Sequence, residues 1–347
     1  RVNLRAEVQV TDRRLMLDSQ GRLGRGDRYA IHLDAEPDGD NFDLALDYRG
    51  AADGPVAAML GSDSAWRASI KGDGTWSQWK GHVVVRRDES RFAALTLTNR
   101  AGMFHLLGQA RPQPVLTGTL ARLAGEVVSI DARAAIDNRR FDGRYRLASG
   151  VLFIDAEGVI DLAENGVEGM DVTALSRAPL ALGNLRLQNA RLTGTVEGAF
   201  TDLTIEHTLR AGRVDLGGIR ITGLDQEGTA TVQDGKWSIP VDAALARVDS
   251  GNALINPRLV GGRVDGVVRI DGRRIASDRL RIVFPNTSAD VAVLGDLARG
   301  TFRIDGMVEA RQLALRNIGR ANGNARIDLT IGGASPWTLT GALSARI

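Results

Sequence analysis

An alternation of apolar and charged residues, with glycine set into the apolar side, is the feature that most constrains this chain. In the stretch Gly262–Gly272, Gly262, Val264, Gly266, Val268 and Ile270 share one parity, while Arg263, Asp265 and Arg269 lie between them. An extended strand there has one aliphatic face and one charged face. The core of the phrase is an apolar residue, Thr or Asp, Gly, any residue and an apolar residue. It recurs at Leu116–Leu120, Phe141–Tyr145, Leu192–Val196, Val264–Val268, Ile304–Val308 and Leu339–Leu343. In every copy the glycine has the parity of the apolar residues. The copies are irregularly spaced, which argues against a solenoid or propeller of fixed period and fits a meander with loops of varied length.

Two-faced segments continue along the chain, from Val2–Val10 through Phe42–Tyr48, Phe92–Thr98 and Val151–Leu162 to Trp337–Leu343, and predict roughly twenty-five strands. Residues 18–29, with Gly21, Gly24 and Gly26, read as a loop. Trp66–Lys71, Thr75–Lys80 and His82–Val85 read as three short strands punctuated by Gly72, Gly74 and Gly81. Val115–Leu120 reads as one more strand. Residues 173–183 can form a short helical interruption broken at Pro179. No shift of composition marks a domain boundary, so residues 1–347 read as one continuous elongated segment. With 43% hydrophobic residues the chain is expected to fold, and no apolar run approaches the length of a membrane-spanning helix. Only 5% of residues are aromatic, too few for the two girdles of an outer-membrane barrel. The expected fold is all-β: a long, twisted, mainly antiparallel sheet curled into an open U-shaped trough with an apolar interior. A filled sandwich core, in which the glycines face large residues, answers to the same pattern.

Reactive chemistry is thinly represented. There is no cysteine, and the four histidines, His32, His82, His105 and His207, fall on separate strands without metal-ligand spacing. The acidic cluster Asp34, Glu36, Asp38, Asp40 and Asp43 is interrupted by Pro37 and has Ala45 where a calcium loop needs Glu. Nucleophile-elbow and phosphate-loop motifs are missing. The sequence therefore predicts no enzyme activity, no catalytic residue, no cofactor and no metal. The formal charge is +2, and arginines are interleaved with Asp and Glu throughout. No phosphate-tracking stripe is expected, and nucleic acid is not an expected partner.

An aliphatic face with few polar anchors suits phospholipid acyl chains, which need burial but no directional hydrogen bonds. The expected lining is Leu192, Val196, Phe200, Val264, Val268, Ile270, Ile282, Phe284, Phe302, Ile304, Val308, Ile327, Leu329, Leu339 and Leu343. The run Ser277–Ile282 with Ala289–Val293 and Asp296–Gly300, and the phrases Gly74–Gly81, Phe141–Tyr145 and Gly235–Val241, resemble the interior repeat region of the TamB family, the translocation and assembly module. That resemblance implies a periplasmic, AsmA-like, bridge-type lipid-transfer protein. It would be anchored in the inner membrane through a segment outside this chain, with an Omp85-type outer-membrane barrel as partner. The function so implied is passage of phospholipid between inner and outer membranes of a Gram-negative bacterium. A scaffold or chaperone that assembles outer-membrane proteins by strand addition is the alternative.

Overall fold

The computed structural model describes residues 2–11, 13–24, 26–36, 41–182, 185–216, 218–251, 253, 256–297, 299–315, 319–332 and 338–346; side chains at 2, 119, 182, 313–315, 319, 321, 331–332 and 338–346 are not described. Strand makes up 76% of the structure and helix 5%, so no helical layer can cover a sheet of this size. Although composition marks no boundary, the chain divides into two compact units, Arg1–Ala163 and Glu164–Ile347.

Unit 1 contains β1 (Val2–Thr11), β2 (Arg14–Leu23), β3 (Asp27–Glu36), β4 (Asn41–Gly50), α1 (Pro55–Met59), β5 (Trp66–Gly74), β6 (Gln78–Arg87) and β7 (Ser90–Arg100). It continues with β8 (Met103–Ala110), α2 (Gly118–Ala124), β9 (Val128–Asp137), β10 (Arg140–Ala148) and β11 (Leu152–Asp161). Each strand pairs antiparallel with the next. Unit 2 contains β12 (Gly166–Ser176), β13 (Leu180–Leu182), β14 (Leu185–Ala199), β15 (Asp202–Leu216), β16 (Ile219–Gln233) and β17 (Lys236–Asp249). A 3-10 turn at Asn256–Arg258 leads to β18 (Val260–Asp271), β19 (Arg274–Phe284), β20 (Thr287–Asp296), β21 (Thr301–Leu315), β22 (Gly319–Gly332) and β23 (Thr338–Arg346). Both β12 and β13 pair with β14, and from there the order again follows the chain. Among the described residues no pairing joins β1 to β11 or β12 to β23, so the sheet does not close on itself within either unit, consistent with a curled trough.

Several local expectations are corrected. The predicted loop at 18–29 is mostly the ends of β2 and β3, with Gly21 paired to Tyr29. The three short strands after Trp66 are two longer ones, because Gly72 and Gly81 sit opposite each other inside the ladder, each under the ring of Trp79. A large ring over a bare backbone restores the packing that glycine lacks. The helical interruption that residues 173–183 could also have formed is not seen over 173–182: Thr173 pairs with Thr193, and Leu180–Leu182 pairs with Leu187–Leu185, while residue 183 lies outside the described residues. Pro179, which has no N–H to offer a ladder, occupies the gap between the two segments. Conversely, Val115–Leu120 is not strand, since Leu116 N–H donates to the Pro112 carbonyl at 2.9 Å and Gly118 has φ of 60° at the start of α2.

The other copies of the glycine phrase lie in strands, and Gly143, Gly194, Gly266 and Gly306 serve close approach. A Cβ on Gly143 would stand 2.0 Å from the Arg133 carbonyl oxygen, one on Gly194 2.0 Å from that of Glu206, and one on Gly306 2.2 Å from that of Asp290. Elsewhere an aromatic ring fills the space, Phe284 over Gly262 and Phe302 over Gly295. The inward glycines thus do not leave a vacant strip along the face.

One polar group inside unit 1 fixes the chain at a strand end. Asp27, fully buried, accepts hydrogen bonds from the Tyr48 hydroxyl, the Ala51 N–H at 3.0 Å and the Val56 N–H at 3.3 Å. It holds the 51–56 turn, and with it α1, against β3 and β4. Burial, reinforced by the Asp27 carboxylate, raises the Tyr48 phenol above its ordinary pKa. Asp27→Ala leaves these donors unpaired and is expected to cost about 2–3 kcal/mol in urea unfolding. Gly306→Val must displace backbone and is expected to cost about 1–3 kcal/mol. Gly150, with nothing within 4 Å of its added Cβ, should tolerate alanine within about 0.5 kcal/mol.

Candidate functional site

The apolar face of unit 2 is assembled by register. One row of directly paired residues runs Ala174, Leu192, Leu209, Gln226, Ala243, Val264, Ile282, Ala289, Val308, Ala325 across β12 and β14–β22. Only Gln226 in that row is polar. It is buried at 8% exposure, and its amide donates to the Pro240 carbonyl at 3.0 Å while its carbonyl accepts the Asp242 N–H at 3.1 Å. Pro240 cannot donate to a ladder, and direct pairing between β16 and β17 is interrupted from Gly228 to Ala230. The Gln226 side chain supplies the hydrogen bonds that the backbone loses there.

A neighbouring row joins Met170, Val196, Ile205 and Ala230, and Ile239 pairs with Val268. Ile270 meets Trp237 and Ile275, Ile304 meets Val293 and Leu329, and Gly306 meets Ile327. The structure therefore places Leu192, Val196, Val264, Val268, Ile270, Ile282, Phe302, Ile304, Val308, Ile327 and Leu329 on one face, each half-buried. Phe284 is on that face too, but at 8% exposure and with its ring on Gly262 it belongs to the packing. Phe200 lies in the turn after β14, 48% exposed, and is not part of the stripe. Leu339 and Leu343 pair with Ile331 and Ile327, while their side chains lie outside the described residues.

Sequence reasoning missed Leu209, Ile239 and Gln226, and it missed how the face survives a change of phase. Asn189, Gly212, Gly223, Ala246 and Gly261 all fall between successive paired residues on adjacent strands. Asn189, Gly223 and Gly261 have φ of 53°, 65° and 67°. Leu187 and Ala190 are both buried, as are Ala211 and Val214, although the members of each pair are three positions apart, an odd interval. The inward parity switches at this seam, as at β-bulges.

The opposite face is charged. Arg279 donates to Asp290 and Arg213 to Asp215, both at 2.8 Å, and in unit 1 Arg144 donates to Asp155 at 2.7 Å. Hydrogen bonding to these arginines, chiefly, lowers the pKa of each carboxylate. In the acidic cluster Asp34 accepts from Arg14 Nε at 2.7 Å and is lowered for the same reason, while Asp38 and Asp40 lie outside the described residues. No group of three metal-ligating side chains occurs among the described residues. His32 bonds Asp18 and His105 bonds Asp131, both at 2.7 Å, on different strand pairs. A polar hollow of ≈ 790 Å³ is lined by residues that include Arg5, Arg22, Arg28 and Arg49. There the register aligns arginines that the sequence disperses among acids, so the expectation of no basic stripe is corrected. Like the aliphatic rows, this alignment becomes visible only once the strands are paired.

Compared with known protein families, curated proteins and solved structures, the chain has no match.

Because each of these carboxylates has a folded-state pKa below its unfolded value, the stabilisation is present above about pH 4 and is lost as pH falls through the folded value. Thermal melts should be level from about pH 5 to 7 and fall below about pH 4. The acid-side decline should be shallower in Arg144→Gln.

Proposed function

We propose that the aliphatic face of unit 2 takes up phospholipid acyl chains and serves bridge-like lipid transfer in a bacterial envelope, the role that the TamB resemblance implies. The observation that carries this reading is a row across ten strands with a single, internally satisfied polar residue, on a sheet that is open and, among the described residues, has no helical cover. Half-buried Val, Leu and Ile on such a face leave apolar area in contact with water, at roughly 25 cal/mol per Å². An acyl chain laid along the rows would bury it without needing hydrogen-bond partners. Transfer along the face would be passive, since such contacts are non-directional and differ little from one position to the next. The inner and outer membranes, a periplasmic location and an Omp85-type partner come with the resemblance and belong to this proposal.

A second reading has its own support. β1 carries Leu4, Val8 and Val10 at 56%, 57% and 74% exposure, and among the described residues it pairs only with β2. An apolar strand with a free edge is the geometry used for strand addition to a client.

Native mass spectrometry of the purified chain is expected to show bound phospholipid. Val268→Asp, which puts a carboxylate among the rows, should reduce that lipid at least tenfold while preserving a cooperative melt. Val267→Asp, one residue away on the opposite face at 37% exposure, should not. Lipid-free protein that crosslinks through β1 to unfolded outer-membrane strands would replace the first reading by the second.

A further inference from the structure

Six arginines stand side by side on the charged face of unit 1. The register pairs Arg22 with Arg28, Arg28 with Arg49, Arg49 with Arg67, Arg67 with Arg86 and Arg86 with Arg91, one from each of β2 to β7. All six are exposed. At the usual strand spacing the row is about 24 Å long. The next row inward, Gln20, Ala30, Asp47, Ser69 and Val84, contributes one carboxylate. Arg67 reaches Glu89 at 3.4 Å, while Asp53, Asp63 and Asp88 lie in the adjoining turns. Like charges directly opposite on paired strands repel, so five successive Arg–Arg pairs are unfavourable unless an anion lies across them.

The row occupies one rim of the sheet, one or two residues inside the ends of its strands. The same rim carries both helices of unit 1, since α1 joins β4 to β5 and α2 joins β8 to β9. At that rim Met59 is 79% exposed, Leu60 37% and Leu120 62%. Exposed apolar side chains in the connections past the strand ends, next to a line of cations, match the layering of a bilayer surface, with hydrocarbon below and phosphate at the level of the charges. A single-stranded nucleic acid would call for exposed aromatic rings beside the cations, and the row has none.

We propose that this rim of unit 1 docks on an anionic phospholipid surface, with Arg22, Arg28, Arg49, Arg67, Arg86 and Arg91 binding headgroup phosphates. The contact does not depend on acyl chains lying in unit 2, and either interaction can fail without the other.

Flotation of the whole chain tests it, using phosphatidylcholine vesicles with or without about 30% phosphatidylglycerol, at low salt and at about 1 M salt, where screening is nearly complete. Binding is expected only to the anionic vesicles at low salt. It should fall at least tenfold in the triple variant Arg28→Gln, Arg49→Gln, Arg67→Gln, and severalfold in Met59→Ser with Leu120→Ser. The triple variant should melt no lower than the parent, because repulsion is relieved, and this separates lost docking from lost folding. Arg210→Gln, in unit 2 and paired with Asp225, should bind as the parent does. Undiminished vesicle binding by the triple variant, equal binding to neutral vesicles, or binding to a single-stranded oligonucleotide in preference to anionic vesicles would each overturn the assignment.

Discussion

The contact on which most of this structure depends is the approach of one strand's carbonyl to the position where the next strand's inward residue would place its Cβ. It occurs at Gly143, Gly194 and Gly306, and it explains why the repeated phrase needs glycine on its apolar side. A methyl group there would meet backbone, which cannot swing aside as a long side chain can. Close approach strengthens the local twist and bend of an antiparallel sheet, and bending shelters an aliphatic face that has no helical layer over it among the described residues. Where the neighbouring backbone does not come so near, a ring takes over, as with Trp79 on Gly72 and Gly81.

Pairing also explains the division of labour between the two faces. Antiparallel register sets like beside like across many strands, so modest alternation in each strand becomes an aliphatic row in unit 2 and a cationic row in unit 1. The charged face of unit 2 is largely neutralised within itself, as Arg279 with Asp290 and Arg303 with Asp328 illustrate. The arginine row of unit 1 is the contrasting case, and its distinctness rests on the absence of an equal row of carboxylates beside it.

The all-β class and the two-faced strands were legible in the sequence because alternation is a local signal. Most of the aliphatic stripe followed from it, from Leu192 to Leu329, since side-chain parity is decided within each strand. Partners were not legible. That Val264 lies between Ala243 and Ile282, or Arg49 between Arg28 and Arg67, depends on turn geometry that fixes register. Glycine misled in two ways. Gly72 and Gly81 read as breaks because the cue of a ring, Trp79, two residues before Gly81 and seven after Gly72, competes with strong turn statistics for Asp-Gly. Gly118 read as strand because its phrase matches the others, while the prolines at 112 and 114 redirect the chain into a turn.

The seam through Asn189, Gly212, Gly223, Ala246 and Gly261 couples the histories of five strands. Removing one residue from a single strand at that line would turn its far half inside out, exposing leucines and burying arginines, while its neighbours kept their old phase. Length changes in this part of the chain can therefore accumulate singly in the hairpin ends, but across the seam only as a concerted set.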